Sequence, residues 1–243
     1  MSVRVLVNGA DGRMGRLVVQ SLHTDSGLKL VAETGRNDNL AQAIQASKAQ
    51  VVVDFTNATV VFENITTILA AGAYPVIGTS GLKTEQVTGL QKNCAEQGRG
   101  GIIAPNFCIS ALLMMRFAEQ AAAFFPEVEI LEVHHEKKLD APSGTALKTA
   151  DLIAAARKVE PSTKSLHETV PGSRGALQQQ IPIHALRLPG FLAKQEVIFG
   201  HVGGNLRIVH ETIDRSAYMP GVLLACKKVT ALEQLIYGLE YLL

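Results

Sequence analysis

Tryptophan is absent from the 243 residues, and aromatic residues make up only 5% of them. The core must therefore be packed from aliphatic side chains, and there is no aromatic and basic motif of the kind that binds RNA. Charge of one sign is lacking too. Lys and Arg number 23 against 22 Asp and Glu, a net charge of +1, so nucleic acid is not the expected partner. Long apolar runs are missing. No stretch approaches the roughly 20 apolar residues of a membrane span. The apolar opening is too short for a signal peptide and ends in a glycine turn. Cysteine is scarce: Cys94, Cys108 and Cys226 are odd in number and scattered, which suits a reducing compartment and no disulfide framework. The expectation is a soluble, cytoplasmic protein of one or two domains with neither membrane nor nucleic-acid partners.

What is present is an alternation of strands and helices. Val3–Asn8 is a Val-rich apolar run, hence a buried strand. Gly9-Ala-Asp-Gly-Arg-Met-Gly15 follows at once, and Arg16 to His23 then has helical spacing. A Gly-rich turn between strand and helix brings backbone N–H groups and a helix dipole to a phosphate. The spacing G-x-x-G-x-x-G is not the commonest dinucleotide pattern, but its place at the first strand-to-helix turn strengthens it. Leu28–Glu33 is a second strand. Its end reads Glu33-Thr-Gly35-Arg36-Asn-Asp38, where dinucleotide folds hold the adenosine ribose. Arg36 suits a 2′-phosphate and Glu33 a ribose. Val51–Phe55, Ala73–Ile77 and Gly101–Ala104 continue the strands, with helices to Ile68 and over Lys83–Gln97. This alternation predicts a Rossmann-like, doubly wound parallel sheet in the α/β class. Ligands bind at the carboxyl ends of such strands, here Gly9–Gly15, Phe55-Thr56, Gly78–Ser80 and Ala104–Phe107.

After a helix over Ser110–Phe125, the strand Glu127–His134 runs into Glu132-Val-His-His-Glu-Lys-Lys-Leu-Asp-Ala-Pro-Ser-Gly-Thr145. Two imidazoles and two ammonium groups crowd together there. Adjacent His134 and His135 make a poor metal pair, because neighbours on a strand point to opposite faces and no further ligands have suitable spacing. No metal is expected. The cluster instead suits a small anion, since His titrates near neutrality. The helix that follows, to about Lys158, presents the N–H groups of Gly144 and Thr145, and Ser143 can cap it. That is a carboxylate site.

The stretch Glu132-x-His-His-x-x-Lys-x-Asp-Ala-Pro-Ser-Gly-Thr145 resembles the signature of the 4-hydroxy-tetrahydrodipicolinate reductase (dihydrodipicolinate reductase) family of lysine and diaminopimelate biosynthesis. Gly9-x-x-Gly-Arg-Met-Gly15, Val53-Asp-Phe-Thr56, Gly78-Thr-Ser-Gly81 and Ala104-Pro-Asn-Phe107 fall where that family has its cofactor loops, so the resemblance covers essentially the whole chain. It implies NADPH or NADH as cofactor and a dicarboxylate substrate, 4-hydroxy-tetrahydrodipicolinate, reduced with loss of water. His134 matches the family's proton donor and Lys138 its second proton-handling residue. His135, Gly144 and Thr145, with Ser143 beside them, make the expected substrate set. Gly9, Ala10, Asp11, Gly12, Arg13 and Met14 match the pyrophosphate turn. Gly78, Thr79 and Ser80, with Ala104, Pro105, Asn106 and Phe107, match nicotinamide-side contacts. The sequence departs from the family at Gly35, where members often carry Asp or Glu, with Arg36 beside it. That slightly favours NADPH.

Residues 161–180 are polar and read as a long excursion, in which Arg174 is a second candidate for a substrate carboxylate. Ile181–Arg187, Ala193–Phe199 and Asn205–His210 are strand-like. With Glu127–His134 they predict a second, mixed sheet, and Ala217–Val229 a returning helix. The expected organisation is a dinucleotide-binding domain over 1–106 and 217–243. An inserted α+β domain over 107–216 binds substrate and, by the resemblance, builds a homotetramer. Such an organisation implies a cleft closed by hinge motion. Two rivals remain: a dehydrogenase with Cys108 as nucleophile, for which a reactive thiol needs a partly exposed site, and a non-catalytic dinucleotide sensor, which has no use for His134 and Lys138.

Overall fold

A computed structural model of the chain describes residues 2–159 and 167–243. In chain order the elements are β1 (Val3–Asn8), α1 (Arg13–Thr24), β2 (Leu28–Thr34), α2 (Leu40–Ser47), β3 (Val51–Asp54), α3 (Val61–Ala70), β4 (Tyr74–Ile77), α4 (Thr84–Gln97), β5 (Gly101–Ile103) and α5 (Ile109–Ala122). There follow β6 (Glu127–His134), α6 (Gly144–Ala156), β7 (Ala176–Gln178), β8 (Ile181–Arg187), β9 (Ala193–His201), β10 (Gly204–Thr212), α7 (Met219–Lys228) and β11 (Leu235–Tyr237). Residues 1–109 with 215–243 form one compact unit, and 110–214 form the other.

The first unit is built on a six-stranded sheet in the order β11-β5-β4-β3-β1-β2. All its pairings are parallel. Strand order reverses between β1 and β3, so their carboxyl ends diverge into a crevice, the usual ligand position of an open α/β sheet. The centre of the sheet is buried: all four residues of β3 are buried, as a parallel strand covered on both faces requires, while the edge strand β2 is largely half-buried or exposed. The core is aliphatic, with Leu6, Val52, Ile65, Ile68, Ile77 and Leu90 packed together. On α1, Gly15, Val18 and Leu22 recur at helical spacing and are its buried residues.

Helix α7 carries the chain back against α1 and β1. Gly221 makes this possible, because a Cβ there would overlap the Phe107 carbonyl oxygen. Lys227 Nζ bonds Asp25 Oδ2 at 2.6 Å across the same junction. Three elements went unread in the sequence. Helix α2 is announced by Asn39, whose side chain accepts from the Gln42 N–H at 3.0 Å, a standard N-cap. Strands β7 and β11 have only three residues each, too few for an apolar period to show. β11 exists through its pairing with β5.

The second unit has a five-stranded sheet in the order β10-β9-β6-β8-β7. It is mixed: β6 pairs parallel with β8 and antiparallel with β9. Ile130, Val197 and Phe199 are fully buried on the strands, and Ala146, Ala150 and Ile153 on α6. Residues 161–166, the start of the expected polar excursion, lie outside the described residues. Its far end is not wholly irregular, since β7 pairs antiparallel with β8.

Candidate active site

The first unit's turn after β1 is shaped by missing side chains. Gly9 has φ +81, and a Cβ there would lie 2.7 Å from the Phe55 carbonyl oxygen. A Cβ on Gly15 would overlap the Gly9 carbonyl oxygen, so only glycine lets α1 start this close to β1. The N–H groups of Gly9 and Ala10 both donate to the Thr34 carbonyl, at 2.8 and 3.1 Å, and Gly12 donates to Gly9 at 3.0 Å. These residues therefore fix the shape of the turn. The first turn of α1, Arg13, Met14 and Gly15, starts without a side-chain cap, and helix geometry leaves its N–H groups without an intrahelical acceptor.

Gly9, Asp11, Gly12, Gly35 and Arg36 line one pocket of about 660 Å³ with Asp38, Phe55, Thr56 and Asn57. Ala10, Arg13 and Met14 sit beside it in the turn without lining it. Gly35 holds more than the sequence disclosed. Its N–H donates to Asp38 Oδ2 at 2.7 Å, and a Cβ on it would meet Asp11 Oδ2 at 2.8 Å. Two carboxylates thus flank the position where the chain lacks an acid of its own. Glu33 is exposed and lies outside the pocket lining.

Gly78, Thr79 and Ser80 follow β4, and Ala104, Pro105, Asn106 and Phe107 follow β5. They share the sheet's carboxyl edge but not the pocket lining. A Cβ on Gly78 would overlap the Phe55 ring, which packs tilted against Phe107 at 5.9 Å between centroids. Thr79 Oγ1 donates to Asp54 Oδ1 at 2.8 Å. Asn106 Oδ1 accepts from the Cys108 N–H at 2.8 Å. Ala104 and Phe107 are buried, and Pro105 and Ser80 are exposed. Cys108 is buried, which removes the exposed thiol that a cysteine nucleophile needs.

Asp54 is the hub beneath these loops. It is fully buried. Oδ1 accepts from the Thr56 N–H, Thr56 Oγ1 and Thr79 Oγ1, and Oδ2 from Asn8 Nδ2 and Asn64 Nδ2, both at 2.8 Å. One carboxylate thereby ties the ends of β1, β3 and β4 to α3.

In the second unit, β6 and the start of α6 bring together polar residues of the Glu132–Thr145 stretch. Glu132 and His134 lie two apart on a strand and so share a face. His134 Nδ1 bonds Glu132 Oε2 at 2.6 Å. Glu132 is fully buried and held from three more directions. Arg187 gives Nη1 to Oε2 at 3.0 Å and Nη2 to Oε1 at 2.9 Å, and the Ser143 N–H reaches Oε1 at 3.0 Å. Burial by itself would push the Glu132 carboxyl up, but hydrogen bonds from His134 and Arg187 outweigh it and hold it below the usual carboxylate range. Arg187 Nη2 also donates to the Asp140 carbonyl at 2.6 Å, closing the loop from His135 to Pro142 over the carboxylate.

Lys138 Nζ bonds both Asp140 carboxylate oxygens at 2.8 Å, and that contact holds the Asp140 carboxyl below its ordinary range. Ser143 is buried and caps α6, its Oγ accepting from the Ala146 N–H at 3.2 Å. Gly144 is exposed with open space beside it, and Thr145 and His135 are half-buried. Arg174 is engaged by Glu129, which also bonds His184 Nε2 at 2.7 Å. Lys137 is exposed. Among the described residues no group of three His, Cys, Asp or Glu side chains is placed to hold a metal ion, and no helix is long and apolar enough to cross a membrane.

Sequence reasoning gave Glu132 no role and missed Arg187. Glu132 was within reach, as an acid sharing a strand face with a histidine. Arg187 was not, because only the parallel register His134↔Arg187 brings it in.

Residues 3–107 match the family model described as dihydrodipicolinate reductase, N-terminus, and residues 110–243 match its C-terminus counterpart. The chain belongs to the dihydrodipicolinate reductase family. Within this family, a 4-hydroxy-tetrahydrodipicolinate reductase of Legionella pneumophila (strain Paris) is 54% identical over 100% of both chains. One of Coxiella burnetii (strain Dugway 5J108-111) is 48% identical, again over 100% of both. A solved dihydrodipicolinate reductase from Paenisporosarcina sp. TG-14, described as dipicolinate-bound, superimposes with TM-score 0.91 at 38% identity, covering 100% of each chain. The Rossmann-like parallel sheet with a second mixed sheet is thus the family's fold.

Proposed function

We propose that this chain carries out its family's reaction through His134 and Lys138. The reaction is the NAD(P)H-dependent reduction of 4-hydroxy-tetrahydrodipicolinate, with loss of water, in the diaminopimelate route of lysine biosynthesis. The observation that carries the residue assignment is the Glu132–His134 pair at the end of β6, tied to the start of α6 by the Ser143 N–H on Glu132. A dicarboxylate of the dipicolinate type suits that surrounding. The N–H groups of Gly144 and Thr145 at the helix start take one carboxylate, with His135 supplying further polar contact. His134 delivers a proton to the ring carbon next to the one reduced. Lys138, released from Asp140 by the anionic substrate, stabilises developing negative charge.

The first unit takes the dinucleotide. Its fit rests on the pocket lined by Gly9, Asp11, Gly12, Gly35 and Arg36, and on the first-turn N–H groups of α1, which a helix start leaves without an intrahelical acceptor. When bound, the nicotinamide supplies hydride. Arg36 takes a 2′-phosphate, while Asp11 and Asp38 provide the ribose acids that position 35 lacks, so both NADPH and NADH are accepted, NADPH somewhat better. Residues 1–106 with 217–243 serve the cofactor, and 107–216 serve the substrate and assembly into a cytoplasmic homotetramer, which light scattering on the purified protein checks.

The test mixes the protein with NADPH or NADH and substrate made in situ from pyruvate and aspartate semialdehyde by the upstream synthase. Loss of nicotinamide absorbance is expected with both cofactors. No turnover with either would overturn the assignment.

A further inference from the structure

We infer that Glu132 is a positioning residue that fixes His134 with a proton on Nδ1 and leaves Nε2 as the nitrogen that works. The inference rests on the reading of His134 as proton donor and adds how that donor is set. Its basis is a count of donors. Arg187 gives two N–H groups to the carboxylate and Ser143 gives a backbone N–H. None of these can accept. With Glu132 fully buried and locked by that fork, it stays ionised and has only lone pairs to offer. The fourth contact, 2.6 Å to His134 Nδ1, must therefore run from Nδ1–H to Oε2.

The consequence is directional. The protonated ring carries hydrogens on both nitrogens. When the Nε2–H bond breaks, its electron pair stays on Nε2, and the proton forms a C–H bond with the electron pair of the reduced substrate's ring carbon. What remains is the neutral Nδ1–H ring, already bonded to Glu132. Nothing in the Glu132–Arg187–Ser143 assembly has to turn, which is the advantage of a preorganised site.

Glutamine at 132 reverses this. A carboxylate offers two oxygens to four donors; a carboxamide offers one oxygen and an NH₂ group. With its oxygen facing Arg187 Nη2 and Ser143, its NH₂ points at His134 and must donate to Nδ1. The neutral ring then carries its proton on Nε2 and cannot be the product of donation from Nε2. Aspartate at 132 keeps the charge and the acceptor character one methylene shorter.

The test uses ¹⁵N-histidine-labelled full-length protein at a pH where the ring is neutral. The chain has seven histidines, and the His134 signal is assigned by its loss in His134→Gln. We expect the Nδ1–H tautomer in the native protein and the Nε2–H tautomer in Glu132→Gln. In that variant kcat should fall by about 100-fold or more, while KM for substrate moves by less than about 5-fold. Glu132→Asp should restore the Nδ1–H tautomer and part of kcat. An Nε2–H ring in the native protein overturns the inference whether or not any variant folds. So does Glu132→Gln that keeps Nδ1–H, or one that switches tautomer with kcat unchanged. Full turnover by His134→Gln would instead remove the role of His134 as donor and leave the tautomer result standing.

Discussion

Glu132 and Arg187, separated by 55 residues in sequence, meet as a two-pronged ion pair with hydrogen bonds of 2.9 and 3.0 Å. The carboxylate is fully buried. Removing one partner of such a pair leaves an uncompensated buried charge, which costs about 3–5 kcal/mol. Arg187→Ala should therefore lower unfolding free energy by about that amount in a urea titration. Arg187→Lys should recover only part of it, because an ammonium lacks the planar fork. Equal stability of Arg187→Ala and the native chain would show that the pair carries no weight.

The same carboxylate sets an acid limit. Its folded-state value is depressed below its ordinary 4.5, so its stabilisation is fully present above the unfolded value and is lost as pH falls through the folded one. Thermal melts taken between about pH 5 and about pH 3 should show the native protein losing stability more steeply than Glu132→Gln, which has no proton to take up there. Parallel curves would contradict this.

Asp54 gives a parallel case in the first unit. Asparagine offers one oxygen to donors arriving on both sides of the carboxylate, so at least two would face an NH₂ group. Asp54→Asn should destabilise by about 3 kcal/mol and weaken dinucleotide binding, since the loops after β1, β3 and β4 lose their common anchor. Calorimetric titration with NADPH checks the second effect.

The proposed cofactor contacts predict that preference depends on Arg36, Asp11 and Asp38. Arg36→Ala should raise KM for NADPH by about ten-fold and leave KM for NADH nearly unchanged. Asp38→Asn should shift preference towards NADPH, because a negative charge is removed from the pocket wall. Equal effects of Arg36→Ala on both cofactors would mean that Arg36 does not meet the phosphate.

The parallel sheet was legible because its strands other than β11 are mostly apolar and alternate with helical segments. The Gly9–Gly15 turn was legible because its glycines sit between a strand and a helix. What sequence could not supply was partnership at long range. The roles of Glu132 and Arg187 depend on β6 and β8 lying side by side in a set register. The approach of Asp11 to Gly35 depends on β1 and β2 pairing side by side, whereas Asp38 is only three residues from Gly35. Arg174 read as a candidate for a substrate carboxylate because Glu129, its partner, lies 45 residues away.

The most direct measurement compares native protein and His134→Gln in the coupled nicotinamide assay, with NADPH affinity measured separately for each. His134→Gln should lose about 100- to 10,000-fold in kcat while binding NADPH as the native protein does. Near-native turnover by His134→Gln would contradict the assignment of the proton step to this histidine.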